Sequence, residues 1–307
     1  MKSFFYAQIR LLKRYANNSY ILLFCNGFIL ALLALVYLQV NYEEQLFKSL
    51  AAHVKEVNPK EALTEDSLVL RSLHVTHELE KNRSILFGKR PIKNLNAQYV
   101  QPLTYDLMTG QQACGGFSYV LGRLLQEMNM EIRFAQMKVN GMYGGHILVE
   151  TKMAHGWVVL DPMFDLFFKR ADGRMASFAD VQGNWNYYRT QVPSGYRAEY
   201  NYAAVRYTNW DKIPVVMPAV KNMMYWSVGK EATEGYSIRN LFLRKFDVLF
   251  YSLFVVYMIL ISFTARKYYF SRKRLFDSMN PEMLFPKTSP IGSRQVACNP
   301  ATFPINL

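Results

Sequence analysis

Two stretches of the chain hold no charged side chain and almost no polar one. From Ala16 to Tyr42 there is no Asp, Glu, Lys or Arg, and the core of that run, YILLFCNGFILALLALVYL (20–38), is nearly all apolar. A second run, VLFYSLFVVYMILISFTA (248–265), is also uncharged. About 20 apolar residues in a helix cross a hydrocarbon core of about 30 Å, so both runs are long enough to span a bilayer. The first has a basic leader, but its apolar stretch is long and no Ala-x-Ala cleavage site follows, so it is read as an uncleaved anchor.

Between the runs the patterning changes. DSLVLRSLHVTHELEK (66–81) places Leu68, Leu70, Leu73, Val75 and Leu79 near helical spacing, with Thr64-Glu65-Asp66-Ser67 suited to cap its start. Residues 43–90 are expected to be mainly helical, ending at Arg90-Pro91. In GQQACGGFSYVLGRLLQEM (110–128), Phe117, Val120, Leu121, Leu124, Leu125 and Met128 form one stripe of an amphipathic helix. Residues 131–168 predict consecutive strands, with Asn140-Gly141 as a turn and HILVE (146–150) and WVVLD (157–161) as β-rich runs joined by residues 151–156. Residues 183–210 are crowded with Tyr and Trp, which could stack sugars or line a substrate cleft, although aromatic β-strands packing a core explain most of them. The tail from Asp277 has no apolar periodicity and is expected to be disordered.

These elements divide the 307 residues into a cytoplasmic segment (1–15), a transmembrane helix (16–42), an extracytoplasmic domain (43–245, core about 66–182, aromatic-rich extension 183–245), a second transmembrane helix (246–265) and a basic cytoplasmic tail (266–307). The first segment carries Phe4, Phe5, Ile9, Leu11 and Leu12 as contacts for the inner membrane surface. The exported part is long enough for one domain with its own core.

Charge sets the orientation. The chain has a formal net charge of +13, yet residues 43–245 hold 25 basic and 20 acidic residues, so the flanks carry most of the excess. Lys2, Arg10, Lys13 and Arg14 precede the first run, and Arg266, Lys267, Arg272, Lys273 and Arg274 follow the second. Basic flanks mark the cytoplasmic side, which places both termini inside and the domain outside, as for a protein of the cell (inner) membrane with a periplasmic domain. The basic excess is thus topological, and nucleic acid is not an expected partner.

Cysteine then changes the picture. Of three cysteines, Cys25 lies in the first run, Cys298 in the tail, and Cys114 alone in the exported domain. A single thiol there has no intrachain disulfide partner and is a candidate reactive group. At a helix start, free N–H groups and the macrodipole favour its thiolate. If Glu150 pairs with Trp157, His146 falls directly opposite Asp161, and opposed residues of an antiparallel pair have Cβ atoms about 4.5–5.5 Å apart. Cys114, His146 and Asp161 then form a nucleophile, a base and the group that orients it. A zinc site would want a fourth ligand and usually a second cysteine. His74 and His77, three apart on a helix, are read as surface or half-buried histidines. Asn82-Arg83-Ser84 matches a glycosylation sequon.

The segments ACGGFSYVLGRLLQEMNMEIRF, GGHILVE and GWVVLDPMF together resemble the transglutaminase-like superfamily, which shares the papain-like cysteine-protease core. The resemblance covers roughly residues 66–170. It rests on Cys114 at a helix N-terminus, Gly145-His146 with Glu150 soon after, and Trp157 through Asp161-Pro162. Ile147-Leu148 stands where bacterial members often have Ala-Trp, a departure that bears on the acyl pocket. The resemblance implies an α+β fold with the Cys-bearing helix packed on an antiparallel sheet, between the two transmembrane helices. It also implies thioester chemistry on a protein or peptide amide. Cys114 would attack the carbonyl, His146 would move the proton, Asp161 would orient His146, and an amine or water would release the acyl group. The Cys114 N–H is one oxyanion donor, with Gln111, Gln112 or Tyr105 as candidates for another. No cofactor or metal is called for, and no acidic calcium loop stands in the sequence. The alternative is a non-catalytic module of the same fold that docks a partner in an envelope or polysaccharide-export assembly.

Overall fold

In a computed structural model of the chain, residues 19–56, 63–87 and 114–278 are described. Helix α1 is Ser19–Glu56, α2 Glu65–Phe87 and α3 Cys114–Glu127. Strands β1 (Ile132–Val139), β2 (Met142–Met153), β3 (Gly156–Asp161) and β4 (Leu166–Phe167) follow. Then come α4 (Phe178–Gly183), α5 (Trp185–Tyr188), a 3-10 turn (Arg189–Gln191), β5 (Val205–Arg206), α6 (Val216–Val228), α7 (Lys230–Gly235), α8 (Asn240–Leu243) and α9 (Lys245–Ser278). The strands form one antiparallel sheet in the order β4-β3-β2-β1-β5.

The chain divides into two compact units, residues 30–254 and residues 1–29 with 255–307. In the latter, Asn26 Nδ2 donates to Thr264 Oγ1 at 3.0 Å. Helices α1 and α9 are both long and apolar enough to cross a membrane. The helix of the first apolar run does not stop at residue 42 but continues past Glu43 and Glu44 to Glu56. Its last turns lie in the core of the larger unit through Phe47, Ala51 and Val54.

The sheet carries a different layer on each face. On one side Val120, Leu121, Leu124 and Leu125 of α3 pack with Phe134, Val149, Val158 and Leu160, together with Val69 and Leu73 of α2. On the other, Ala135, Met137, Leu148 and Val159 pack with Phe168, Phe178, Tyr188, Tyr200 and Tyr202. Alternation along each strand sorts the two sets. The stripe expected on α3 is the buried one, although Met128 stays half-exposed.

Three further expectations are corrected. Among the described side chains of α2 the buried ones are Val69, Arg71, Ser72, Leu73, Thr76 and Glu80; of the expected stripe Leu73 is buried, Leu68, Leu70 and Val75 are half-buried, and Leu79 is exposed. Ser72 Oγ donates to the Leu68 carbonyl at 2.7 Å. The expected cap does form, with Ser67 N–H on Thr64 Oγ1 at 3.2 Å and Thr64 N–H on Ser67 Oγ at 3.0 Å.

The β2–β3 register also differs. Met153 pairs with Gly156 and Glu150 with Val159, so the hairpin closes over Ala154-His155 alone and residues 151–156 are not a loop. Glycine at 156, with φ of 116°, permits this tight closure. Relative to the expected pairing the strands slip by two residues, and Asp161 lies diagonal to His146 instead of opposite.

The aromatic segment is not built of strands. A capping box opens α4, with the Asp180 N–H on Ser177 Oγ and the Ser177 N–H on Asp180 Oδ2. Short helical turns then run to Gln191, and only Val205–Arg206 joins the sheet, beside Gln136 and Met137. Local capping outweighs the β-propensity of the aromatic rings here.

Candidate functional site

His146 reaches its position through a glycine pair. The β1–β2 ladder shifts between Met137, which faces His146, and Lys138, which faces Tyr143. The extra residues on β2 are Gly144 and Gly145. Gly144 has φ of 86°, and a Cβ on Gly145 would lie 2.6 Å from Val139 Cβ. Only glycine allows both the turn of the bulge and the close approach.

Asp161 ends β3, and its carboxylate meets His146 directly. His146 Nε2 stands 2.7 Å from Asp161 Oδ2, with the two residues 0 % and 1 % exposed. The Met163 N–H donates to Asp161 Oδ1 at 3.2 Å, and the Tyr196 hydroxyl donates to Oδ2 at 3.1 Å. Tyr196 in turn shares a hydrogen bond with the Tyr202 hydroxyl at 3.2 Å. Burial first, then Tyr202 and Asp161, pushes the Tyr196 hydroxyl far above the ordinary phenol range, so it stays protonated and donating.

Cys114 opens α3, and Ser118, one turn later, ties that helix to the histidine's strand. Ser118 Oγ donates to the Ile147 carbonyl at 2.7 Å in a buried contact. The thiol packs with the helix-side core, whereas His146 stacks on the aromatic side, so the two approach from opposite layers. With Nε2 on Asp161, the remaining ring nitrogen, Nδ1, is buried and has no hydrogen-bond partner. Sγ and Nδ1 do not meet hydrogen-bond geometry at rest, but the two groups perturb each other's ionisation. Burial works against the Cys114 thiolate. The neighbouring His146 and the Ile147 backbone amide outweigh it, and the thiol lies below its ordinary range. Burial likewise works against imidazolium, yet the Asp161 charge and hydrogen bond, with Cys114, push His146 up to about 9. Near pH 7 both shifts favour the thiolate–imidazolium pair.

The sequence did not single out which aromatic residues enclose this group. Tyr200 stacks on His146 with ring centroids 4.2 Å apart and planes 10° from parallel. Phe164 adds an edge contact at 6.1 Å and also meets Tyr196 at 4.7 Å. The signal was the Tyr-rich run itself, but its spacing does not say which rings turn inward. His74 and His77 brace the turn after Asp161: His74 Nδ1 is 2.8 Å from Asp165 Oδ2, and His77 Nδ1 is 3.1 Å from the Pro162 carbonyl.

Glu150, wholly buried, lies elsewhere. It accepts from Arg133 Nε at 2.8 Å, the Tyr207 hydroxyl at 2.6 Å and the Phe178 N–H at 3.0 Å. Arg133 is itself held between the Trp157 and Tyr207 rings, each centroid 4.1 Å away. This is a structural knot joining β1, β2, α4 and the β5 region. Gln111, Gln112 and Tyr105 lie outside the described residues. Among the described residues no three His, Cys, Asp or Glu side chains gather as a metal site would need.

Comparison with protein-family models, with curated proteins and with solved structures finds no match for this chain.

Proposed function

We propose that this chain is a membrane-anchored, cysteine-dependent acyl transferase or amide hydrolase of transglutaminase-like type, acting on a protein or peptide amide of the cell envelope. The observation that carries the reading is the buried 2.7 Å His146–Asp161 contact, which leaves Nδ1 for a Cys114 thiol held below its ordinary range.

The chemistry follows from that arrangement. The Cys114 thiolate adds to the amide carbonyl carbon, and its charge passes to the carbonyl oxygen. The tetrahedral adduct collapses, the C–N bond breaks, and the proton on His146 Nδ1 goes to the departing nitrogen. A thioester on Cys114 remains. Water or an amine then gives its proton to Nδ1 as it attacks, and the S–C bond breaks to restore the thiolate. Asp161 holds the ring by Nε2 throughout. The Cys114 backbone N–H is the near donor for the oxyanion. Both termini lie inside and the domain outside, where the basic flanks of the two apolar runs direct them.

The deciding experiment incubates the full-length protein, in detergent, with a whole-envelope extract and looks by mass for an acyl group on the Cys114 peptide. An adduct present on the wild-type chain and lost in both Cys114→Ala and His146→Asn supports the reading. A Cys114 that alkylates at an ordinary slow rate and carries no adduct refutes it. Cysteine accessibility tests the topology: a cysteine at position 184 should react from outside and one at 293 only from inside.

A further inference from the structure

Helix α6 carries its apolar stripe on the outside. Val216, Ala219, Met223 and Trp226 recur at helical spacing, and all four are exposed, Trp226 by 90 %. Ile213 and Val215 before the helix and Val228 at its end are exposed too, Val215 by 82 %. No residue of α6 is buried. Met217, Val220, Lys221, Met224 and Tyr225 are half-buried: Lys221 Nζ is 2.9 Å from Glu234 Oε1 of α7, and the Tyr225 hydroxyl donates to the same carboxylate. A helix on the surface of a water-soluble domain buries its apolar face against the core. Thirteen residues make a helix of about 20 Å, long enough for a continuous apolar strip of the kind that marks an interaction surface.

The chain itself says what medium adjoins this strip. Shortly beyond α6 the backbone enters α9, which with α1 is long and apolar enough to cross a membrane. A segment leading into a span lies near the bilayer surface, and Trp and Tyr are the residues enriched there. We propose that α6 is an interfacial anchor that lies flat in the surface of the same bilayer. Its Val216–Ala219–Met223–Trp226 stripe sits about 5–10 Å deep at the headgroup–acyl boundary, with its Lys221 face turned to α7. The partner is lipid. The anchor is fixed to the domain beyond α7, where Thr208 Oγ1 donates to the Tyr236 carbonyl at 2.6 Å and accepts from the Ile238 N–H at 3.0 Å. This inference rests on the membrane reading of α1 and α9 and is independent of the chemistry at Cys114.

The test uses the full-length protein in vesicles of phosphatidylcholine and phosphatidylglycerol, with or without acyl chains brominated near the headgroup. The chain has four tryptophans, so the difference between wild type and Trp226→Phe isolates the Trp226 emission. That difference signal is expected to be blue-shifted, to lose most of its intensity in brominated vesicles and to resist aqueous acrylamide. Met223→Asp, which puts a charge into the stripe, should restore acrylamide quenching while the protein stays folded by circular dichroism. If acrylamide quenches Trp226 and bromolipid does not, the stripe faces water and the proposal is overturned. If neither quencher reaches it, protein covers the face, whether a second copy or another segment, and the proposal is overturned as well. A chain washed from the vesicles at alkaline pH would fail the membrane reading first, a result distinct from both.

Discussion

Tyr200 lies flat against the His146 imidazole, with centroids 4.2 Å apart and planes 10° from parallel. The stack covers one face of a ring whose Nε2 is held by Asp161 and whose buried Nδ1 has no hydrogen-bond partner. Tyr200 is a positioning residue on this arrangement. Tyr200→Phe keeps the stacked surface and should leave unfolding temperature and Cys114 alkylation near wild type. Tyr200→Ala removes a buried ring, which costs about 3–5 kcal/mol in a core. A protein whose thermal midpoint in detergent is unmoved by Tyr200→Ala would show that the stack does not hold the ring.

The paired shifts at Cys114 and His146 give a pH window. Thiolate is lost as pH falls through the depressed Cys114 value, and the proton needed by the leaving nitrogen is lost as pH rises through about 9. Alkylation of Cys114 by iodoacetamide at pH 7 should therefore outpace a free thiol. His146→Asn should bring it down to the free-thiol rate, whereas His155→Asn, at the hairpin turn, should leave it unchanged. The same shifts bear on stability. His146 has a raised value, so its contribution is full below its ordinary 6.5 and fades as pH rises through about 9.

Tyr196 and Asp161 are separable in the same assay. Asp161→Asn removes the charge that raises His146, and the alkylation rate should fall nearly as far as in His146→Asn. Tyr196→Phe deletes one of three donors to a carboxylate that keeps the other two, an effect of about 1 kcal/mol or roughly fivefold. Equal losses in the two variants would refute this ranking.

Gly145 is predicted to accept no side chain. An added Cβ would stand 2.6 Å from Val139 Cβ, so Gly145→Ala should displace the bulge that delivers His146 and cost about 1–3 kcal/mol. Val139→Ala should not rescue it, because the clash is with the Cβ that alanine retains. Rescue by Val139→Ala, read from the thermal midpoint, would disprove the clash.

Glu150 should matter to folding and not to the thiol. Its carboxylate is fully enclosed by Arg133, Tyr207 and the Phe178 N–H. Breaking a buried pair by removing one partner costs about 3–5 kcal/mol, so Glu150→Ala should lower the midpoint sharply. At a temperature where the variant is folded, Cys114 alkylation should match wild type.

The sequence by itself determined the parts governed by local physics. Uninterrupted apolarity marked α1 and α9, and 3.6-residue periodicity marked the buried stripe of α3. Asn140-Gly141 marked the β1–β2 turn, where both residues do have positive φ. The pairing of His146 with Asp161 was legible because strand side chains alternate with period two. The register slipped by two residues, and a slip of two keeps every side chain on its face, where a slip of one would have separated them. Tertiary structure alone decided the rest. Which rings of the aromatic run enclose His146 depends on where an irregular segment docks, and no periodicity encodes that. The buried face of α2 takes in Arg71, Ser72, Thr76 and Glu80 beside Val69 and Leu73, which no count of leucines shows. The outward stripe of α6 looks like any amphipathic helix in sequence. Only the structure shows that Val216, Ala219, Met223 and Trp226 are the side of it left exposed.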